Sequence, residues 1–312
     1  MLLPLLAALP ALLPGVPQAS GDAGPLTWQV PEGLESLARP MSEAAGEELA
    51  RIEDWLGLPP APAGNLQWVE SRQEFEKALG NNAPDWFAAV TIPSQRRIVM
   101  LADRSKSGAV LSETLRHELV HWAMIGVGDQ AWQALPAWFH EGVAETWART
   151  DPLSQFASPL AWRAFRGDLD PLVRFRDGFG AEPLAASEGY ALAYAFVKRL
   201  VRVHGEDVIA RILERVRRGD SLDQSLIGVT GLGLISHEEA LRAELGSWGA
   251  LLGEIYPQLF LFLALFMLLI APFVWRARRR RRRAFEAKWA REDAEALAQA
   301  DQPEDDRWIT PR

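Results

Sequence analysis

The sequence of 312 residues contains no cysteine. This absence excludes disulfide bonds, iron–sulfur clusters, thiol catalysis, cysteine-based zinc sites and lipid attachment to an N-terminal cysteine. Histidine is also scarce, with five residues in the chain, and tyrosine occurs three times. Any bound metal must therefore be held by a few histidines together with carboxylates. The 48% of hydrophobic residues is typical of a folded protein.

Negative charge is in excess over most of the chain, and basic residues are concentrated at its end. The last 37 residues hold 11 of the 33 Lys and Arg and 8 of the 41 Asp and Glu, a net charge of +3. Since the whole chain carries −8, the first 275 residues carry −11. Nucleic-acid-binding surfaces are usually basic, so this acidic body argues against DNA or RNA as a partner.

The N-terminus lacks charge, and its first charged side chain is Asp22. Residues 2–16 are apolar but are interrupted by three prolines, and they are too few to span a bilayer comfortably. We therefore predict a secretory signal peptide over residues 1–23, with small residues near its end where cleavage could occur. An uncleaved hydrophobic leader is the alternative, because no Lys or Arg stands near the first residue.

A second apolar segment is longer and contains no charge. Residues 255–275 are 21 consecutive uncharged residues, and a helix of that length is about 31 Å long, like the hydrocarbon core of a bilayer. Aromatic residues at both ends and the arginine run at 278–283 are typical of a membrane boundary. We predict a single-pass transmembrane helix in the cell membrane, with the tail of residues 276–312 in the cytoplasm and the main body extracytoplasmic. A nucleic-acid patch is the less economical interpretation of the arginines.

The remaining residues are typical of an α+β fold, with a small N-terminal sheet followed by helices. Residues 24–64 combine one helix, predicted over 42–56 with Ser42 as its N-cap, with a Pro-rich linker. Residues 65–250 form the main predicted domain, with strands at 65–70, 88–92 and 97–101 and a short helix at 71–79. Periodicity then predicts helices at 112–125, 136–149, 159–166, 184–204, 206–218, 221–228 and 236–246.

His117 and His121 lie within the sequence HELVH on one of these predicted helices. Residues i and i+4 share a face of a helix, so both imidazoles point toward the same place. Catalytic zinc is usually held by three protein ligands and a water, and Glu118 is placed to reach that water rather than the metal. Two chance histidines on a solvated helix are the alternative interpretation.

A third ligand must come from outside this motif, and two known extensions are excluded. The metzincin pattern needs Gly and His where this chain has Met124 and Val127. An intramembrane protease would embed the motif in a long apolar span, but Arg116 and Asp129 flank it here. The third ligand is therefore expected on a following helix.

The next predicted helix supplies two acids. Glu141 lies 20 residues after His121, which is enough for a loop and a return, and Pro136 suits the first turn of the helix. Glu145 lies one turn later on the same face, where it could orient a ligand histidine through the other ring N–H. The helix pattern alone does not choose between the two acids.

Together the two segments resemble the gluzincin metallopeptidases, specifically the bacterial peptidase-MA-like domains. The family pattern is HExxH followed about twenty residues later by P-x-W-x-x-E-G-x-A-E, and it occurs here in full as HELVH and PAWFHEGVAE. The resemblance covers roughly residues 65–250. It implies Zn²⁺ held by His117, His121 and Glu141, with Glu118 as general base. It also implies that residues 88–101 contain an edge strand that pairs with an extended substrate.

Two arguments favour Glu141 over Glu145 as the ligand. The family pattern places the ligand directly before the glycine, here Gly142, and a glycine is expected to let the two helices approach closely. Glu145 is then expected to hydrogen-bond a ligand imidazole. His140 neighbours Glu141, so its side chain points about 100° away around the helix, and we expect no site role for it.

Hydrolysis also needs a hydrogen-bond donor that stabilises the oxyanion. Tyr190 and Tyr194 are candidates, because family members carry a tyrosine in the corresponding helix, and packing of a helix face is the alternative role. Tyr256 belongs to the membrane boundary. His204 and His237 lie in the distal helices and are expected at the surface or at helix caps.

The sequence therefore predicts a membrane-anchored zinc metallopeptidase that acts on extracytoplasmic proteins or peptides. Endopeptidase action is favoured because the sequence contains no GxMEN-like strand of the aminopeptidase kind. Two alternatives stay open. One is a membrane-anchored binding or assembly protein that keeps the domain without turnover, and the other is a zinc hydrolase that is not a peptidase.

Overall fold

The computed structural model describes residues 18–80, 87–103, 105–148, 153–180 and 183–300. Residues 1–17, most of the predicted leader, lie outside the described residues. The chain divides into two compact units, Met1–Leu251 and Leu252–Arg312. The first unit contains the sheet and the helices that pack on it, and the second consists largely of one long helix.

One mixed sheet lies in the first unit. Its strands are β1 (Gln18–Ala23), β2 (Leu26–Pro31), β3 (Gly64–Val69), β4 (Ala89–Ile92) and β5 (Arg97–Leu101). The strand order is β1-β2-β3-β5-β4, so β4 is an edge strand. The pairs β1–β2 and β4–β5 are antiparallel, whereas β3 lies parallel to both β2 and β5.

The predicted helices occur in the predicted order along the chain, two of them between strands and the others after β5, and the α+β class is confirmed. α4 is the helix that the periodicity does not predict. The helices are α1 (Glu35–Leu56), α2 (Arg72–Leu79), α3 (Gly108–Met124), α4 (Asp129–Ala134), α5 (Ala137–Ala148), α6 (Leu153–Arg166), α7 (Pro183–His204), α8 (Val208–Arg217), α9 (Leu222–Thr230), α10 (Leu234–Leu245) and α11 (Trp248–Ala300).

The hairpin of β1 and β2 is the main element that the sequence does not predict. Gly24 makes its turn with a φ of 62°, a left-handed conformation that glycine adopts without strain. Along β2, Leu26, Trp28 and Val30 alternate inward and are buried. Residues 18–23 fall within the predicted signal peptide, so a chain cleaved after residue 23 would lack strand β1.

The predicted start of α1 is wrong, because the helix begins at Glu35 and not after an N-cap at Ser42. Ser42 is buried inside the helix. Its hydroxyl donates to the carbonyl of Ala38 at 2.8 Å and accepts from the indole Nε1 of Trp68 at 2.9 Å. A serine hydroxyl suits both an N-cap and a hydrogen bond to a buried indole, so the sequence pattern alone does not separate the two roles.

The core holds α3 and α5 in fixed positions beside each other. α3 contacts both α1 and α5, and α5 packs on α7. Phe139 and Trp138 of α5 and Phe196 of α7 are buried in this core, with Trp138 in edge contact with both phenylalanines. A fully buried phenylalanine contributes about 1.5–3 kcal/mol. Side chains that α3 and α5 direct at each other are therefore held at a defined separation.

Most of the second unit is the helix α11. Its segment Leu261–Glu292 is long and apolar enough to cross a membrane. The helix is continuous through the arginine run and extends into the predicted tail of residues 276–312. At 53 residues it is about 80 Å long, more than twice the hydrocarbon core of a bilayer.

Candidate metal centre

α3 presents the two histidines of the HELVH sequence on one face. Ser107 caps the start of the helix with a side-chain hydrogen bond. Leu115 and Leu119 are buried and fix the rotation of the helix about its axis. The Nε2 atoms of His117 and His121 consequently lie 3.1 Å apart. The spacing of the motif therefore brings the imidazoles together as the sequence predicts.

α5 brings Glu141 to these two rings. Its Oε2 lies 3.0 Å from Nε2 of His117 and 3.5 Å from Nε2 of His121. Ligand atoms around a tetrahedral zinc ion with bonds of about 2.0–2.1 Å lie about 3.3 Å apart, so the three atoms have the spacing of zinc ligands. Among the described residues, no other group of three His, Asp or Glu side chains brings its ligand atoms this close together. Two imidazoles and one carboxylate fit a catalytic zinc.

The three residues form a charged network. Burial disfavours the imidazolium of His117, but the hydrogen bond and charge of Glu141, with Glu145 and Glu118 nearby, outweigh burial and raise its pKa to about 9. Glu141 is also buried, yet the charge of His121 and the hydrogen bonds from both rings hold its pKa far below the usual range. The charge of Glu141 thus favours the protonated form of His117, and a metal held by these residues would displace that proton.

Glu145 lies on the outer side of this network. It is buried one turn beyond Glu141, and its Oε1 is 3.6 Å from Nδ1 of His117. Nδ1 is the ring nitrogen opposite the one that faces Glu141. Carboxylates in this position orient ligand imidazoles in metal sites, although 3.6 Å is longer than a hydrogen bond.

Gly142 does not have the role expected from the sequence. A Cβ at this position would lie 2.6 Å from the carbonyl oxygen of Ala193 and 2.7 Å from Cγ2 of Val197, and both residues belong to α7. The glycine therefore allows α5 to pack closely on α7 and not on α3. Spacing along the chain does not reveal which neighbour a small residue faces.

Glu118 is not one of the converging residues, and its carboxylate contacts the sheet. It is buried, and its Oε2 accepts a hydrogen bond of 2.7 Å from the hydroxyl of Thr91 on β4. The same hydroxyl lies 3.1 Å from the backbone carbonyl oxygen of Glu118. Thr91 is a residue of the site that the sequence does not reveal, because a threonine in a strand belongs to no motif and its partner is 27 positions away.

A cavity of about 740 Å³ opens beside these side chains. Residues 87–91 of β4 and the chain before it line one side, and residues of α3, α5 and α7 line the others. The cavity is within the size range of ligand pockets. The candidate ligands and Glu118 therefore face a space that can receive part of a substrate.

Both candidate tyrosines of α7 line this cavity. The ring of Tyr190 stacks on Phe179 with centroids 4.2 Å apart. Burial, and then the charges of the nearby glutamates, raise the pKa of Tyr190 above its ordinary value. The ring of Tyr194 is buried, and its hydroxyl accepts a hydrogen bond of 2.6 Å from Nζ of Lys198. The structure thus places both hydroxyl-bearing side chains at the site.

The other histidines lie outside the converging group. His140 packs on Trp132, and its Nε2 donates to the Trp132 carbonyl at 3.2 Å. Burial, and then the charge of His121, lower the pKa of His140 to about 4, so it is neutral. The prediction that His237 lies at the surface or at a cap is wrong. It is fully buried on α10, and its Nε2 lies 2.7 Å from the hydroxyl of Thr230 at the end of α9.

The family assignment agrees with this geometry. The model of the peptidase MA superfamily matches residues 44–246, nearly two thirds of the chain. The matched range contains the two helices that carry the converging residues and the edge strand β4. No curated protein matches the chain. The resemblance seen in the sequence is confirmed, and the chain belongs to the peptidase MA superfamily.

Proposed function

We propose that the protein is a membrane-anchored zinc metallopeptidase. The observation that carries this proposal is the convergence of His117, His121 and Glu141 at the spacing of zinc ligands. Glu118 lies beside them in a cavity large enough for part of a peptide. Family membership supports the same activity.

Three side-chain atoms would hold Zn²⁺: Nε2 of His117, Nε2 of His121 and Oε2 of Glu141. When bound, the metal would supply a Lewis acid that polarises the substrate carbonyl and lowers the pKa of a water to about 7. Three protein ligands leave a coordination position open for the reaction.

Glu118 is proposed to transfer protons, and the two tyrosines are proposed to donate hydrogen bonds. Glu118 accepts the proton of the attacking water and later delivers it to the leaving amine. Tyr190 is held in its protonated form by burial and by the surrounding glutamates, so its hydroxyl can donate a hydrogen bond to the developing oxyanion. The hydroxyl of Tyr194 accepts from Lys198, and its O–H is a second candidate donor for the same purpose. Tyr190 is the stronger candidate, because the charges that act on it are those of Glu141, Glu145 and Glu118.

An extended peptide would bind along β4. The amide of Leu101 donates to the carbonyl of Ala88 at 2.8 Å, which makes these two residues a hydrogen-bonded pair. Hydrogen-bonded and non-hydrogen-bonded pairs alternate in an antiparallel ladder. The N–H and C=O groups of Ala89 and Thr91 therefore point to the outer edge, where a substrate strand can add. Such backbone recognition suits an endopeptidase.

The membrane anchor sets the side on which the enzyme acts. We propose that α11 crosses the cell membrane once, with the arginines at 278–283 on the cytoplasmic side and the zinc domain outside. A reporter that is active only in the cytoplasm should work when fused after Arg312. Activity of a reporter that works only after export would overturn this topology.

The proposed activity is tested on the full chain purified in detergent. Metal analysis should find one zinc per chain, and an unbiased peptide library should be cleaved by the wild-type protein but not by Glu118→Gln. One zinc without any cleavage would favour the binding or assembly alternative. Hydrolysis of esters or glycosides without peptide cleavage would favour the zinc hydrolase that is not a peptidase.

A further inference from the structure

Thr91 connects the edge strand to the helix that carries Glu118. Along β4, Val90 and Ile92 pack against the apolar cluster beneath α2. Thr91 faces the opposite side of the sheet, where its hydroxyl contacts Glu118 of α3. The ladder register directs the backbone N–H and C=O of Thr91 to the outer edge. The backbone of Thr91 thus faces the edge where a substrate strand would pair, and its side chain contacts Glu118, the proposed general base.

The contact between Thr91 and Glu118 fixes one oxygen of the carboxylate. A threonine hydroxyl has one hydrogen to donate, and its shorter contact, 2.7 Å, is with Oε2 of Glu118. A hydrogen bond to an ionised acceptor is stronger than one between neutral groups. The hydrogen bond to Oε2 restricts the rotation of the carboxylate, and Oε1 is the oxygen that remains to accept a proton from the attacking water.

We propose that Thr91 is a positioning residue for the general base. Its hydroxyl holds the carboxylate of Glu118 in the orientation needed for proton transfer, and its backbone belongs to the strand that binds the peptide. Substrate docking along β4 and the orientation of Glu118 are thereby coupled through one residue. The inference rests on the proposed peptidase activity.

Two substitutions in the full, zinc-loaded chain test this role. Thr91→Val keeps the shape and strand preference of the side chain but removes the hydroxyl, and Thr91→Ser keeps the hydroxyl. Loss of one hydrogen bond to a charged group is expected to lower kcat about tenfold to a hundredfold in Thr91→Val, with KM and zinc content unchanged. Thr91→Ser should restore most of kcat. Wild-type kcat in Thr91→Val, or a Thr91→Ser variant as slow as Thr91→Val, would overturn the proposal.

A double-mutant cycle tests the contact without using hydrolysis. Thr91→Val, Glu118→Ala and the double variant are unfolded with denaturant, and Ala is used because Gln could still accept the hydrogen bond. The double variant should be less destabilised than the sum of the single variants. Strict additivity would overturn the inference even if the enzyme is active. A wild-type protein that binds zinc but cleaves nothing would overturn the proposed function. In that case, non-additivity would show only that Thr91 and Glu118 are structural partners, and the role of Thr91 as a positioning residue would be rejected.

Discussion

Two pairs of histidines in this protein have nearly the same ring geometry but opposite electrostatic surroundings. The rings of His117 and His121 lie edge to face with centroids 4.8 Å apart, and those of His204 and His237 do the same at 5.4 Å. The first pair faces Glu141 at 3.0 Å. The second pair faces arginine instead.

The charge of the neighbouring residue decides what each pair can do. Glu141 and the other glutamates raise the pKa of His117 to about 9 despite its burial. Burial, then the charges of His204 and Arg199, lower the pKa of His237 to about 4. Nδ1 of His237 lies 3.3 Å from Nη1 of Arg199, which can only donate, so the lone pair of this nitrogen accepts from the guanidinium and is not free to bind a metal. The converging carboxylate of Glu141 is therefore the feature that distinguishes the candidate metal centre from the second histidine pair.

Removal of that carboxylate should have the largest effect. Glu141→Ala is expected to abolish tight zinc binding, because two imidazoles alone do not complete a catalytic zinc site. Zinc content after dialysis and the zinc-dependent rise in Tm measure the loss. Glu244→Ala is the matched control, since Glu244 pairs with Arg199 at 2.8 Å beside the second histidine pair. Equal zinc loss in both variants would show that general destabilisation, and not ligation, is responsible.

Glu118→Gln should separate metal binding from hydrolysis. The side chain lies outside the converging group and contacts Thr91, so its amide should leave zinc bound. Hydrolysis should fall about 10²–10⁴-fold, because a glutamine cannot accept the proton. The ratio of zinc content to kcat measures the separation. Loss of zinc in this variant would assign Glu118 a ligand or structural role.

Glu145→Ala should have an intermediate effect. Its carboxylate lies 3.6 Å from Nδ1 of His117, so the substitution should weaken zinc affinity about 10–100-fold without abolishing binding. Competition with a chelator of known affinity measures the change. A greater loss in Glu145→Ala than in Glu141→Ala would place the ligand one turn further along α5.

The smallest effect is expected from a substitution in the second histidine pair. It should change how the free energy of unfolding depends on pH. Folding keeps His237 neutral down to about pH 4, whereas an unfolded histidine takes up a proton below about pH 6.5. The unfolded state therefore binds more protons, and the free energy of unfolding should decrease as the pH falls from about 6.5 toward 4. Denaturant titrations at several pH values should show a shallower decrease for His237→Gln. An identical pH dependence in both proteins would contradict the neutral, buried state of His237.

The sequence predicts the convergence of the candidate metal ligands better than it predicts their surroundings, because that convergence depends on local helix geometry. His117 and His121 converge because a helix repeats every 3.6 residues, and the α5 acids follow from the same rule. The contact of Thr91 with Glu118 and the helix that Gly142 faces depend on which elements pack together. A local sequence pattern does not predict that packing. β1 and β2 are missed for a related reason, since Trp28 pairs with Leu66 across 38 positions of chain. In α1, Ser42 is a residue type that often caps helices, but it lies in the core, where it hydrogen-bonds Ala38 and Trp68.

The most direct test of the central claim is zinc K-edge X-ray absorption on the full chain, compared with Glu141→Ala. The geometry predicts one zinc with two imidazole ligands at about 2.0–2.1 Å and oxygen ligands that include a carboxylate. In Glu141→Ala, the signal of tightly bound zinc should disappear. Three imidazoles around the metal, or an unchanged zinc spectrum in Glu141→Ala, would contradict the assignment of His117, His121 and Glu141 as the ligand set.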